Sequence, residues 1–337
     1  MATNNTHSSR RSATKQILVL CASAAVALSS TSAAAQAWPA RPISMIAPYP
    51  AGGGVDTVAR LVAELLGSRL GQSIAVDNKP GAGATIGATA LVRSAPDGYT
   101  LMMGSIVDYS IAPHVITGLP FDMKRDMIAV AEVGFGTVGI IVNADLPVKN
   151  LKELIALAKS KPGDLSFASS GVGGLQHLNA EMFKQMAGVN IVHVPYRGTA
   201  QFMPDLLSGR IPMSIDSIPA HLPNLKAGKT RALAVASASR SVALPDVPTM
   251  AEAGLPGYES STNYTVFVPA KTPPEIVQKL NQEINAVMKN EALIAKLLAL
   301  GIVAKSGSVE SAQAKVATEM ERWAVVIKTG NLNLKQP

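Results

Sequence analysis

The stretch that decides the fold is "APYPAGGGVDTVARLVAELL", residues 47–66. It reads as the end of a strand that stops at Pro50, turns over Gly52, Gly53 and Gly54, and restarts as a helix from Asp56 to about Leu70. In that helix Val58, Leu61, Val62, Leu65 and Leu66 recur at the spacing of one buried face. Asp56, its first polar residue, is expected to cap it by accepting backbone N–H groups. Such a helix start leaves amide hydrogens unpaired and carries roughly half a positive charge, and glycine lets an anion approach without a Cβ in the way. The same arrangement returns at "LSFASSGVGGLQHLNAEMFKQMAG", residues 165–188, so the chain holds two half-cradles for an anion.

Around these units strands and helices alternate. "SIAVDN", a helix through "ATIGATALVRS" and "YTLMMGS" follow the first; "IVHVPY", "IPMSID" and "RALAVAS" follow the second. "MIAVAEVGFGTVGIIVN" reads as two consecutive extended segments that cross between lobes near 137–143, and a return crossing is expected near 263–269. Alternation of this kind implies mostly parallel α/β sheets, with ligand sites outside the carboxyl ends of the strands. The expected architecture is a clamshell of two α/β lobes: 38–140 plus 265–337, and 141–264.

The bulk composition limits the chemistry. The chain has 337 residues, 47% hydrophobic, 16% charged and only 4% aromatic, which gives ample core and few platforms for stacking nucleic-acid bases. Residues 1–37 read as a secretory signal peptide: a basic "HSSRRSATK", an apolar "ILVLCASAAVAL" and the cleavage pattern Ala35-Gln36-Ala37. Arg10 and Arg11 leave Tat export open beside the Sec route. Loss of that leader, with Arg10, Arg11 and Lys15, lowers the net charge from +7 to +4 and removes Cys21, the one cysteine. The mature chain then has no thiol for disulfides, catalysis or metal binding. Export without a later long apolar run implies a protein outside the cytoplasm, which in a bacterium with an outer membrane is the periplasm.

Several motifs exclude themselves. Neither glycine loop carries the lysine of a phosphate-binding P-loop, and "DNKP" separates "PGAGATIGA" from its strand, which argues against a dinucleotide site. There is no G-x-S-x-G elbow, no H-E-x-x-H and no dense basic run, so neither an enzyme nor a nucleic-acid binder is expected. His177 and His193 make a metal pair only if the fold joins them. Met182, Met186 and Met203 fall on apolar helix faces. Carboxylate, rather than phosphate, is the expected guest.

The segments "WPARPI", "APYPAGGGVDTVARLVAELLGSRLGQSIAVDNKPGAGATIGA", "APDGYTLMMGS", "VHVPYRGTA", "AGKTRALAVASASRSVALPDVPTMAEAGLPGYE" and "KTPPEIVQKLNQEIN" resemble, in order, the Bug family. These are extracytoplasmic solute-binding receptors of tripartite tricarboxylate transporters. The resemblance implies a Venus-flytrap periplasmic-binding-protein fold, type II-like, holding one small carboxylate between the lobes, without cofactor, as a monomer. It implies delivery to membrane permease subunits; a sensor-kinase ectodomain is the alternative partner. Carried over, the first loop is Tyr49, Ala51, Gly52, Gly53 and Gly54 with Asp56. The second is Ser169, Ser170, Gly171, Val172, Gly173 and Gly174 with His177. Walls come from Ser105, from Tyr196, Arg197, Gly198 and Thr199, and from Asp216.

Local alternatives stay open. Asp56 and Asp216 are each a helix cap or a ligand contact, His177 is a neutral pocket donor or a packed side chain, and Arg197 is a rim charge that attracts anions. A hydrolase or isomerase using His177 and Asp216 is the remaining enzymatic reading. The segment "IVDYSIAPH", residues 106–114, departs from the family pattern. Ile106, Val107 and Tyr109 are expected to make that wall apolar, and Asp108 adds a carboxylate. A mono- or aromatic carboxylate, or a ligand with a cationic group facing Asp108, then fits better than a plain di- or tricarboxylate.

Overall fold

The computed structural model describes residues 38–329. The expected leader therefore lies outside the described residues. Among the described residues, those from Arg41 onward form one compact unit. Its strands are β1 (Ile43–Ala47), β2 (Ile74–Asn78), β3 (Thr100–Gly104), β4 (Met127–Asn143), β5 (Ser166–Ser169), β6 (Val192–Pro195), β7 (Met213–Ser217), β8 (Thr230–Val235), β9 (Ser261–Pro269) and β10 (Ile302–Ala304). The helices are α1 (Gly54–Leu70), α2 (Thr85–Val92), α3 (Ile106–Val115), α4 (Met123–Asp126), α5 (Leu151–Ser160) and α6 (Leu175–Ala187). They continue as α7 (Thr199–Leu207), α8 (Ile218–Lys226), α9 (Pro274–Val287), α10 (Glu291–Ala299) and α11 (Val309–Thr329).

The strands run in the order β2-β1-β3-β9-β4-β7-β5-β6, with β8 and β10 also on β4. The pairs β1–β2, β1–β3, β5–β6 and β5–β7 are parallel, as their intervening helices require; β9 and β4 run against their neighbours. One strand, β4, serves both halves. Its first part pairs with β9 from Met127 to Thr137, and its second with β7 and β8 from Val138 to Asn143. The two extended segments expected there are one continuous strand. Its glycines mark close approaches instead of breaks: a Cβ on Gly134 would come 2.8 Å from the Val303 carbonyl, and one on Gly139 2.7 Å from Ile218 Cδ1. The strand β9 lies wholly against β3 and the first part of β4.

Helix α1 begins two residues before Asp56, with Gly53 at the N-cap, and buries Val55, Val58, Val62 and Leu66. It stops at Gly71, which takes the left-handed φ of 70° and donates its N–H to the Gly67 carbonyl. Helix α3 does not form a pocket wall of apolar side chains. Ile106 and Tyr109 are fully buried in a core with Phe121 and Phe267, where the Tyr109 ring meets both edge-on at 6.1 and 5.7 Å. Val107, Ile111 and Val115 point into the other core, with Phe167 and Leu178. Helical periodicity gives each core its own face of α3 and leaves Asp108 turned elsewhere. Trp323 of α11 belongs to that second core as well.

Candidate functional site

Five helices start where a strand ends: α1 after β1, α3 after β3, α6 after β5, α7 after β6 and α8 after β7. First-turn residues of all five line one cavity, which encloses about 540 Å³ of space free of protein atoms, part of it open to solvent. Gly53, Gly54 and Val55 belong to α1, Leu175 and Gln176 to α6, and Thr199 and Ala200 to α7. Asp108 projects from α3. Five converging N-termini create a positive potential without a cationic side chain. Among the described lining residues there is no lysine, arginine or histidine.

The first loop keeps amides free for that cavity. Gly52, at φ 81°, gives its N–H to Asp56 Oδ2 at 2.9 Å, and Gly53 gives its own to the Pro50 carbonyl at 3.3 Å. Asp56 is thus the third helical residue reaching back, not the N-cap. It is buried facing away from the cavity, where it accepts Asn78 Nδ2 at 2.9 Å and Arg60 Nε at 3.1 Å. Burial opposes ionisation, yet Arg60, the Gly52 amide and Asn78 hold its carboxyl below the usual range. The N–H groups of Gly54 and Val55 make no hydrogen bond to any described residue.

The second loop is the opposite case. Ser170 N–H donates to Gln176 Oε1, Gly171 N–H to Ser169 Oγ at 3.1 Å, and Gly173 N–H to His177 Nδ1 at 3.1 Å. Gly174 N–H reaches the Gly171 carbonyl at 3.4 Å, and Leu175 N–H donates to Asp108 Oδ1 at 3.1 Å. Asp108 therefore ties α3 to the start of α6, and its Oδ2 accepts the Tyr49 hydroxyl. Burial pushes its carboxyl up to about 6, against the hydrogen bonds from Tyr49 and Leu175 and with help from Asp216. Asp216 has more partners. It accepts the Ser217 amide at 2.6 Å, Thr199 Oγ1 at 2.6 Å, His221 Nε2 at 2.9 Å and Gln176 Nε2. Although burial raises it, His221, Thr199 and Gln176 keep that carboxyl below its ordinary value.

Of the residues singled out in the sequence, Tyr49, Gly53, Gly54, Asp108, Ser170, Thr199 and Asp216 meet at the cavity. Others do not. Ala51 and Gly52 are exposed at the loop tip, and Val172, Gly173 and Gly174 do not line the cavity, Gly173 packing on Val115 and Gly174 on Ser170. Ser105 caps α3 by accepting the Asp108 amide at 3.4 Å. His177 packs instead of facing a ligand. Its ring lies 4.0 Å from that of His193, whose Nε2 is 2.6 Å from Ser169 Oγ. The fold does join the two histidines, but among the described residues no group of three or more His, Cys, Asp or Glu is placed to hold a metal. Tyr196 donates its hydroxyl to Asp205 at 2.6 Å, Arg197 is exposed, and Gly198 abuts Pro50, whose Cδ a Cβ would approach to 2.5 Å. The loop of "PGAGATIGA" has a packing role: a Cβ on Gly83 would come 3.3 Å from Gly174 N.

Gln176, Ser217, Ala220, Thr262 and Tyr264 line the cavity without having been singled out. Gln176 stands two residues after the second loop in "GVGGLQHL", and Ser217 and Ala220 open a helix after a strand, so all three carried a positional signal. Thr262 and Tyr264 sit on β9, where nothing local marks them.

The fold is that of periplasmic solute-binding proteins. R. palustris Rpa4515, solved with adipate, superposes with a TM-score of 0.84 at 36% identity, covering 87% of this chain and 98% of that one. MatC from Rhodopseudomonas palustris, with bound malate, gives 0.83 at 30% identity over 86% and 100%. The protein BugT of Bordetella pertussis is 36% identical over 302 residues, 89% of this chain and 93% of that protein. Residues 58–332 match the model of the tripartite tricarboxylate transporter family receptor. The chain belongs to this family, the Bug receptors, whose members are periplasmic solute-binding proteins and not enzymes.

Proposed function

We propose that this protein captures a small organic carboxylate in the cavity and delivers it to the permease subunits of a tripartite tricarboxylate-type transporter. The observation that carries this reading is the pair of unengaged amides at Gly54 and Val55, residues that line a cavity where five helix N-termini converge. Adipate and malate in the two related structures support the ligand class. A hydrogen bond to a charged group contributes ~1.5–3 kcal/mol, and micromolar affinity needs about 8 kcal/mol. Two or three such bonds plus burial of the ligand's carbon skeleton therefore suffice, after ordering costs.

Capture works through the two halves joined by β4. The ligand's carboxylate docks on the α1 loop, and closure brings α7 and α8 over it. Closure is limited by the ligand's preference for the closed state. That closed surface is what a permease reads. Titration calorimetry and thermal-shift measurements across a carboxylate panel test the first half. Saturable binding with a raised unfolding midpoint is expected; no response to any carboxylate overturns it. Co-purification of permease subunits with the liganded protein, from membranes of the producing cell, tests the second half.

A further inference from the structure

We propose that Asp108 fills the place of a second ligand carboxylate, so that the cavity accepts monocarboxylates and rejects their dicarboxylate counterparts. This rests on the capture reading above and names the substrate class for the same cavity.

The two glycine loops are not equivalent as anion sites. At the second, the Leu175 amide, first of α6, already holds a carboxylate oxygen at 3.1 Å, and that oxygen belongs to the protein. The other oxygen of Asp108 accepts the Tyr49 hydroxyl, and the residue is only 4% exposed, so its carboxylate is held from both sides. The amides of Ser170, Gly171, Gly173 and Gly174 are engaged within the loop and α6. A ligand with a carboxylate at each end would seat one at Gly54 and Val55. Its other end would meet Asp108 and Asp216 beside the uncharged amides of Gln176, Thr199 and Ala200, with no lysine, arginine or histidine among the described lining residues to neutralise them. Two unneutralised carboxylates side by side in a buried site disfavour each other's charge. Displacing Asp108 does not help, since it would lose two hydrogen bonds and leave a buried carboxylate unpaired. A monocarboxylate avoids the conflict, because its uncharged end can lie against Leu175 and Ala200.

The test compares matched pairs by calorimetry at neutral pH: hexanoate with adipate, benzoate with terephthalate, and propionate with succinate. In the unaltered protein the monocarboxylate of each responding pair is expected to bind at least about tenfold more tightly, the ratio that one charge-assisted hydrogen bond sustains. In Asp108→Ser, which vacates the Leu175 amide, the dicarboxylate should gain at least as much and the preference should vanish. Asp108→Asn keeps the shape and can still accept from Leu175, so it should retain part of the preference; it also serves if the serine variant does not fold. A dicarboxylate bound as tightly as its partner by the unaltered protein overturns this assignment while leaving capture intact. An unchanged ratio in folded Asp108→Ser overturns it equally. Silence from all six probes in every protein overturns the capture reading, and this inference with it.

Discussion

The two strand–glycine–helix units look alike on paper and differ in chemistry. At the first, Asp56 and Pro50 take the amides of Gly52 and Gly53, and those of Gly54 and Val55 remain open to the cavity. At the second, Ser169, Gln176, His177 and Asp108 each accept a main-chain N–H, that of Leu175 among them, and the unengaged amides begin only one residue further on, at Gln176 and His177. The lesson is that glycine makes an amide accessible but does not decide what it meets. A side chain that fits the same geometry competes with any ligand.

Four measurements break or sharpen this contrast. The largest effect is expected at Asp216, which binds Ser217, Thr199, Gln176 and His221 and so holds the start of α6 to α7 and α8. Asp216→Ala should lower the unfolding free energy by about 3–5 kcal/mol, the cost of orphaning buried polar partners. Urea unfolding reads it, and a loss under ~1 kcal/mol would mean the second loop is not held by side chains.

Next comes Gly54→Ala. Its Cβ would sit 3.2 Å from the Tyr264 hydroxyl, on the cavity side. Carboxylate affinity should fall roughly 10- to 100-fold while stability stays within ~1 kcal/mol, since alanine suits a helix better than glycine. Calorimetry beside a melting curve separates the two.

The third concerns acid. Burial, with His177 and Lys184 nearby, pushes the His193 imidazole down to about 3. Between about 6.5, the unfolded value, and that figure, the unfolded chain takes up a proton that the folded chain refuses, so stability falls with pH in this window. Asp108, raised to about 6, acts in the opposite sense, because the folded state holds its proton to a higher pH than the unfolded chain does. His193→Phe keeps a ring against Phe167 and should make the loss between neutral pH and pH ~5 smaller than in the unaltered protein, by an amount on the order of 1–2 kcal/mol. Unfolding midpoints at the two pH values decide it; identical acid profiles would remove His193 from the account.

The smallest effect is the most diagnostic. Gly174→Ala places a Cβ 3.2 Å from Ser170 Oγ, in a loop whose Ser170, Gly171, Gly173 and Gly174 amides are already engaged. Affinity should stay within about threefold. A loss matching that of Gly54→Ala would make the two loops equal partners after all.

Much of the fold was legible because its signals are local. The apolar stripe of α1, the loops 52–54 and 171–174, and the alternation of strand and helix follow from spacing alone. The continuity of β4 was not legible, since Gly134 and Gly139 look like interruptions until Val303 and Ile218 are seen beside them. At the site, Tyr49, Gly53, Gly54, Thr199 and Asp216 stand at strand ends, where topology directs attention. Gln176, Thr262 and Tyr264 required the tertiary structure. The segment 106–114 misled for a physical reason. Its apolar residues announce burial, but a helix between two cores buries Ile106, Val107 and Tyr109 on different sides and presents only Asp108 to the cavity.

The strand β4 carries a mechanical consequence. Its hydrogen-bond ladders run from β9, with register shifts at Ala129/Ala131 and Glu132/Gly134, on to β7, so one half cannot slide past the other without shearing two ladders together. On the proposed closure the strand would flex near residues 136–139, where Gly136 and Gly139 have no side chain of their own but pack closely on Pro219 and Ile218. On that reading the jaws hang on a leaf spring, and the register of their teeth would survive each stroke.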